Sequence, residues 1–340
     1  MAAVPERQET RMILEDAPRR GLQHCETSTL GVLLRHQGLE LSEPMMFGLG
    51  AGLSFIYWDR KGMPMPFLGG RVRPFELTTN LCDRLGLALS TQETSSRRKA
   101  WQNVTSQLDA GRPVGLQLDS YHLPYFTPPR VHFAGHMVAM YGYDDERAYV
   151  VDTDQQGGAV TVDLESLAAA RAERGPMAAP NRSFTVTVPA TLPPLREAAA
   201  AAIRDCASTF LDPPIANLGH RGIAKAAKLV VTWLDRSADP ARDLPQVAAL
   251  MERGGTGGAL FRNLYRDFLA ECAELIDDEA VRVGHERYGR AATLWTEVAG
   301  LIAQAGESGD EGRLRDASAV LSEIAQLERE AMTALVAVET

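Results

Sequence analysis

The sequence predicts an α+β protein in which a mixed N-terminal half with an antiparallel sheet precedes an all-α half. Three observations carry that expectation. Up to about residue 190, the short apolar runs Val114 to Leu118, Met137 to Tyr143 and Ala148 to Asp152 are punctuated by Gly, Pro and aromatic residues, as strands mixed with helices are. Beyond it the chain turns Ala-, Leu- and Glu-rich with helical spacing. Between the two, VPATLPPLREAAAA places Pro189, Pro193 and Pro194 where neither a ladder nor a helix can continue. The boundaries read from this are a first domain over 1–190 and a helical domain over 195–340.

In chain order, a helix is expected from Cys25 to His36, with Leu30, Leu33 and Leu34 on one packed face and Gly38 as its stop. A second helix starts with Ser42 as cap and Pro44 in the first turn, and leads into Gly48-Leu49-Gly50-Ala51-Gly52, read as a flexible loop. That run is no dinucleotide fingerprint, since Leu53 stands three beyond Gly50 and no strand precedes it. A helix around Ala100 to Leu108 ends at Gly111, and the Val114 strand follows. VAMYGYDD, AYVVDTD and AVTVDLES, separated by turns, read as an antiparallel meander. Four or five helices are expected in the C-terminal half. The clearest follows Gly254-Gly255-Thr256-Gly257-Gly258, with Leu260, Phe261, Leu264, Tyr265, Phe268, Leu269, Cys272, Leu275 and Ile276 on one face. The last runs through Leu314, Ala317, Leu321, Ile324, Glu328, Ala331 and Leu335. A charge on that seam favours bundle packing over a dimerising coiled coil.

The 340 residues are ample for a core, and 45% hydrophobic with 23% charged residues is a globular composition. Lys and Arg total 35 against 44 Asp and Glu, a formal charge of -9 that would repel nucleic-acid phosphates. No uncharged apolar stretch reaches a membrane span, and the opening MAAVPERQETRMILEDAPRR lacks the basic-then-apolar order of a signal peptide. A cytoplasmic protein with no nucleic-acid or membrane partner is therefore expected. Cys25, Cys82, Cys206 and Cys272 are far apart with no CxxC, so neither a zinc knuckle nor a disulfide framework is indicated.

A cysteine is nucleophilic as its thiolate, and only a few per cent is ionised at pH 7 at the ordinary pKa. Cys25 follows a turn at Gly21 and opens a helix, where unpaired backbone N–H groups favour an anion and can bind an oxyanion. Cys206 and Cys272 fall within amphipathic helices and Cys82 within NLCDRLG, where burial is the simpler reading. An imidazole is needed beside the thiolate, and a carboxylate or amide beside the imidazole. His136 stands at the mouth of an apolar strand just after Gly135, and pairing with AYVVDTD brings residues 152 to 155 opposite it. Asp152 is the expected orienting carboxylate and Asp154 the reserve. His24 points away from its neighbour Cys25. His122 and His132 flank SYHLPYFTPPRVHF, readable as a pocket lining or as a surface loop.

LQHCETSTLGVLLRHQGLELSEPMMFGLGAGLSFIYW, GRPVGLQLDSYHLPYF and GHMVAMYGYDDERAYVVDTD together resemble the N-terminal domain of the butirosin-biosynthesis acyltransferase (BtrH-like) family. That domain is in turn similar to papain-like leader peptidases. GTGGALFRNLYRDFLAEC resembles the helical domain that habitually follows it. The resemblance implies a papain-like domain with a Cys25, His136, Asp152 triad, and, from the family member with an assigned role, an acyl group moved from a carrier-protein phosphopantetheine thioester to an amine of an aminoglycoside. Papain-like peptidases place an oxyanion-hole Gln several residues ahead of the nucleophile. Here Gln23 lies two ahead, so Gln23 or the Cys25 N–H alone is the candidate donor.

Acyl transfer then runs through a Cys25 acyl-enzyme with no cofactor of its own, phosphopantetheine entering only as the arm of the donor. The partners expected are an acyl carrier protein or other thioester donor and a small amine, and an Ala/Leu-rich helical half makes a homodimer plausible. Gly50, Asp119, Tyr121 and His122 are the candidate substrate contacts, with the Gly48 to Gly52 and Asp119 to Tyr125 segments closing the site. Asp119 and Glu26 are candidates to hold a cationic acceptor, and the glycine run before Ala259 to receive a phosphate. The same triad also serves a peptidase, amidase or thioesterase, and a non-catalytic scaffold would retain the fold without a reactive Cys25.

Overall fold

The computed structural model describes residues 11–127 and 130–339; the first ten residues of the opening segment, and Pro128 and Pro129 of the aromatic loop, lie outside them. In chain order the elements are β1 (Met12–Ile13), α1 (Cys25–Arg35), α2 (Glu43–Leu49), β2 (Leu53–Trp58), β3 (Phe67–Arg71), α3 (Glu76–Leu85), β4 (Ala88–Gln92), α4 (Arg97–Leu108), β5 (Val114–Leu118), β6 (His136–Tyr143), β7 (Arg147–Val151), β8 (Ala159–Asp163), α5 (Leu164–Ala172) and β9 (Ser183–Thr187). They continue with α6 (Leu195–Leu211), α7 (Gly219–Val230), α8 (Trp233–Arg236), α9 (Pro240–Arg253), α10 (Arg262–Leu275), α11 (Glu279–Ser308) and α12 (Glu311–Leu335). That is an α+β chain with an antiparallel sheet and an all-α C-terminal part, with more helices there than the four or five expected. Among the described residues no helix is long and apolar enough to cross a membrane.

Two compact units form. One comprises 1–41 and 87–189, the other 42–86 and 190–340. A single division near residue 190 is therefore incomplete: Pro189 does end a unit, but the segment from Ser42 to Gly86 packs with the helical part. Its β2–β3 hairpin is contacted by α7, α6 and α9, and α2 by α10 and α6.

The first unit is built on a sheet of order β4-β9-β5-β6-β7-β8, with β1 also paired to β6, and every described pairing is antiparallel. The β6-β7-β8 meander is the one the sequence predicts; β9 inserts beside β5 from far along the chain. Val104, Leu116, Val138, Met140 and Val150 are among its core residues. Helix α1 packs on β5, β6 and β9. It is not amphipathic as expected: every residue from Cys25 to Leu34 is buried. Its hydroxyls are satisfied locally, Thr27 Oγ1 donating to His24 O (2.9 Å) and Thr29 Oγ1 to Cys25 O (2.9 Å), while Ser28 Oγ accepts the Leu22 N–H (2.8 Å).

In the second unit, α11 and α12 pack on each other, α9 and α10 on α11, and α7 and α6 on α12. Ser42 caps α2, its Oγ accepting the Met45 N–H at 3.0 Å. Gly50, expected in a flexible loop, is buried, and a Cβ there would stand 2.4 Å from Leu77 Cγ, so close packing on α3 explains the glycine.

Candidate active site

The sheet and α1 bring Cys25, His136 and Asp152 together within the first unit. In the β5–β6 register Leu118 faces His136, so the histidine opens its strand at the sheet end. In the β6–β7 register Ala139 faces Val151; carried on by one residue, that sets Asp152 across from Val138, two positions along the same face from His136. His136 Nε2 and Asp152 Oδ2 lie 2.7 Å apart, with both residues buried. Cys25, at the start of α1, hydrogen-bonds the imidazole, with Nδ1 the nitrogen left to meet it. Asp154, the reserve carboxylate, is exposed.

What holds Cys25 beside the imidazole is backbone against backbone. The Asp154 N–H donates to Leu22 O (2.9 Å), and a Cβ on Gly21 would stand 2.3 Å from Asp152 O and 2.6 Å from Asp154 N. Only a glycine allows the segment leading into α1 to lie this close to the carboxylate's own backbone. Asp152 is fixed further by its Oδ1, which accepts the Thr153 N–H at 2.6 Å.

Burial disfavours the charged form of His136, but the carboxylate of Asp152 and the sulfur of Cys25 outweigh it and push the pKa up to about 10. The other three thiols have no such partner. Burial raises Cys82 and Cys206 to about 12 and Cys272 higher still. Because the folded pKa of His136 lies above its unfolded value, the stabilisation it contributes is complete below about pH 6.5 and is lost as pH rises toward 10. An NMR titration of the His136 ring is accordingly expected to show a midpoint well above 6.5 that falls in Asp152→Asn. A midpoint at the free-imidazole value would refute the ion pair.

Two residues beside the triad have no signature in the sequence pattern. Tyr125 Oη donates to Asp152 Oδ2 at 2.8 Å, the oxygen that also takes His136, and Phe126 stands edge-on to the His136 ring, centroids 5.3 Å apart at 89°. The only hint of them is the aromatic density of the loop just ahead of GHMVAMYGYDD.

The remaining candidates are placed as follows. Gln23 is exposed, two residues ahead of Cys25. Asp119, expected to meet a cationic acceptor, is buried and engaged: Oδ1 accepts Tyr121 N–H (2.8 Å) and Phe133 N–H (3.2 Å), and Oδ2 lies 3.2 Å from His132 Nδ1. Glu26 is wholly buried. Tyr121 is half exposed and stacks on His132, and His122 Nε2 meets Glu173 Oε2 at 2.8 Å. Gly50 lies in the other unit, against Leu77. At the glycine run before α10, the Gly258 N–H bonds Thr256 Oγ1 (3.1 Å) and the Ala259 N–H bonds the Glu252 carboxylate (3.2 Å). Donors expected to receive a phosphate are thus occupied, one by an anion.

A thiol opening a buried helix, an imidazole opening the strand it packs on and a carboxylate just past the end of the next strand are the three groups that a cysteine nucleophile, its base and the base's orienting acid require. Residues 24–153 match the family described as butirosin biosynthesis protein H, N-terminal, and residues 165–335 match a domain of unknown function, DUF4872. No curated protein matches the chain. Among solved structures, one from Bacillus anthracis described as a C39-like peptidase aligns at 19% identity and a TM-score of 0.36, covering 54% of this chain and 99% of that one. A likeness at that level leaves the activity to be read from this chain's own residues. The two sequence matches take in most of the chain, which belongs to the BtrH-like family and here joins a butirosin biosynthesis protein H N-terminal domain to DUF4872.

Proposed function

We propose that the protein is a cysteine-dependent acyltransferase that takes an acyl group from a carrier-protein or similar thioester onto Cys25 and passes it to an amine. The buried Cys25–His136–Asp152 array is the observation that carries this reading. The Cys25 thiolate adds to the thioester carbonyl. Collapse of the tetrahedral adduct expels the donor thiolate, which takes the proton held on His136. An incoming amine then adds to the acyl-enzyme and loses a proton to His136 as the Cys25 thiolate departs. Exchange of one thioester for another is nearly balanced, so little driving force is spent in loading. Throughout, Asp152 holds the ring in one orientation, and the N–H groups at the start of α1 face the developing oxyanion. The family's description as butirosin biosynthesis protein H supports an acceptor in specialised, natural-product metabolism.

Intact-protein mass spectrometry after exposure to acyl thioesters is expected to show a single acyl increment on Cys25, discharged on adding an amine with formation of its amide. Acid released at an amine-independent rate, with no amide, would instead assign the site to a hydrolase. No increment and no turnover with any thioester would leave a scaffold.

A further inference from the structure

Beyond the triad, the first unit gathers His122, His132 and Glu173 from three separate stretches: the turn Ser120–His122, the loop leading into β6, and the end of α5. One ligand atom from each lies within 4.8 Å of the other two. We propose that these three side chains form a binding site for a single divalent transition-metal ion of the Zn2+ class.

The chemistry of the donor set selects that class. Two imidazoles and one carboxylate suit Zn2+ and its first-row neighbours, whereas Ca2+ and Mg2+ call for oxygen ligands. Donors about 2.0–2.1 Å from a tetrahedral ion lie roughly 3.3 Å from one another. His122 Nε2 and Glu173 Oε2 are already 2.8 Å apart, so the pair opens slightly on coordination, and a small shift of the partly exposed His132 ring closes the set. The proton between His122 and Glu173 is displaced, moving to Nδ1 if the ring is neutral or to solvent if it is charged.

The second shell is already in place. Asp119, 2% exposed, sets its Oδ2 3.2 Å from His132 Nδ1, leaving Nε2 as the coordinating nitrogen, the carboxylate–histidine arrangement that orients metal-bound imidazoles. Tyr121 stacks on the same ring, centroids 4.0 Å apart at 17°. Glu173 Oε1 is held by the Arg174 N–H at 2.9 Å, so Oε2 faces the site. Three protein ligands leave a fourth position for water or an external donor. The ion would tie the loop bearing Tyr125 and Phe126 to the end of α5.

The test uses full-length Cys25→Ser, so that the active-site thiol cannot take up metal, titrated with Zn2+ by calorimetry and with Co2+ by visible absorption. A single equivalent is expected to bind, raising the thermal midpoint, with affinity reduced at least about tenfold in His132→Ala and again in Glu173→Gln, both at solvent-reached positions. Absence of binding, or an affinity indifferent to both substitutions, would overturn the site and leave His122 and Glu173 as a simple ion pair. Neither result depends on acyl transfer, so failure here and failure of the proposed activity are separately visible.

Discussion

His136→Ala is expected to lower thioester turnover by about four to six orders of magnitude and to abolish the preferential alkylation of Cys25 by iodoacetamide at pH 7. His136 hydrogen-bonds the sulfur, so its removal takes away the group that would hold the proton during attack. The comparison is internal to the molecule. A thiol near pKa 12, as Cys82 and Cys206 are, is ionised to only about one part in 10^5 at pH 7, so it serves as a silent control in the same chain. Asp152→Asn is expected to cost about 10^4 in turnover, because the amide can hold the ring in the wrong tautomer and does not stabilise its charge. Tyr125→Phe removes one donor from that carboxylate, and a much smaller loss is expected of it. Peptide mapping after brief alkylation reads the thiols individually. Equal labelling of all four in the native protein would remove the enzymatic reading altogether.

The meeting of Cys25, His136 and Asp152 was legible because each residue sits where local rules operate. Cys25 opens a helix after a glycine turn, His136 opens an apolar strand, and Asp152 follows from counting along a hairpin. Hairpin counting confines the carboxylate opposite His136 to residues 152 to 155, and the one-residue ladder shift between Met140 and Gly142 decides the face: an unshifted count would set Asp152 across from Ala139, whereas the shifted ladder sets it across from Val138, on the face of His136. Long-range packing was not legible. Nothing in SYHLPYFTPPRVHF has a period, so Tyr125 and Phe126 could not be aimed at Asp152 and His136 from sequence. Asp119 and Glu26 read as free acids because spacing does not report burial. Gly50 read as loop freedom, yet its missing side chain makes room for Leu77, a contact between residues 27 positions apart. The insertion of β9 beside β5 and the packing of the β2–β3 hairpin with the helices are likewise pairings between distant stretches, invisible to any window of local periodicity.

Glu328→Ala is expected to destabilise the helical unit by about 3–5 kcal/mol, read as a shift in the urea midpoint followed by tryptophan fluorescence. The glutamate that interrupts the apolar seam of α12 is wholly buried, as is Arg262. Arg262 Nε and Nη2 each donate to it at 2.8 Å, and Trp295 Nε1 at 2.7 Å. The guanidinium also bonds backbone, its Nη1 reaching Ser54 O (3.1 Å) and Leu260 O (2.9 Å), and it lies over Trp295 with Cζ 4.9 Å from the ring centroid. It thereby joins α12, α11 and the β2 strand of that unit through one side chain. Truncating the acid strands a buried cation, and that desolvation penalty rather than the pair's net worth sets the cost. The double replacement Arg262→Met with Glu328→Leu is therefore expected to be less harmful than Glu328→Ala alone, since it strands no charge and leaves only the Trp295 N–H and three carbonyls with a lost partner. A Glu328→Ala protein with the parent midpoint would mean that water reaches Arg262, and the polar node would then have no structural role in the bundle.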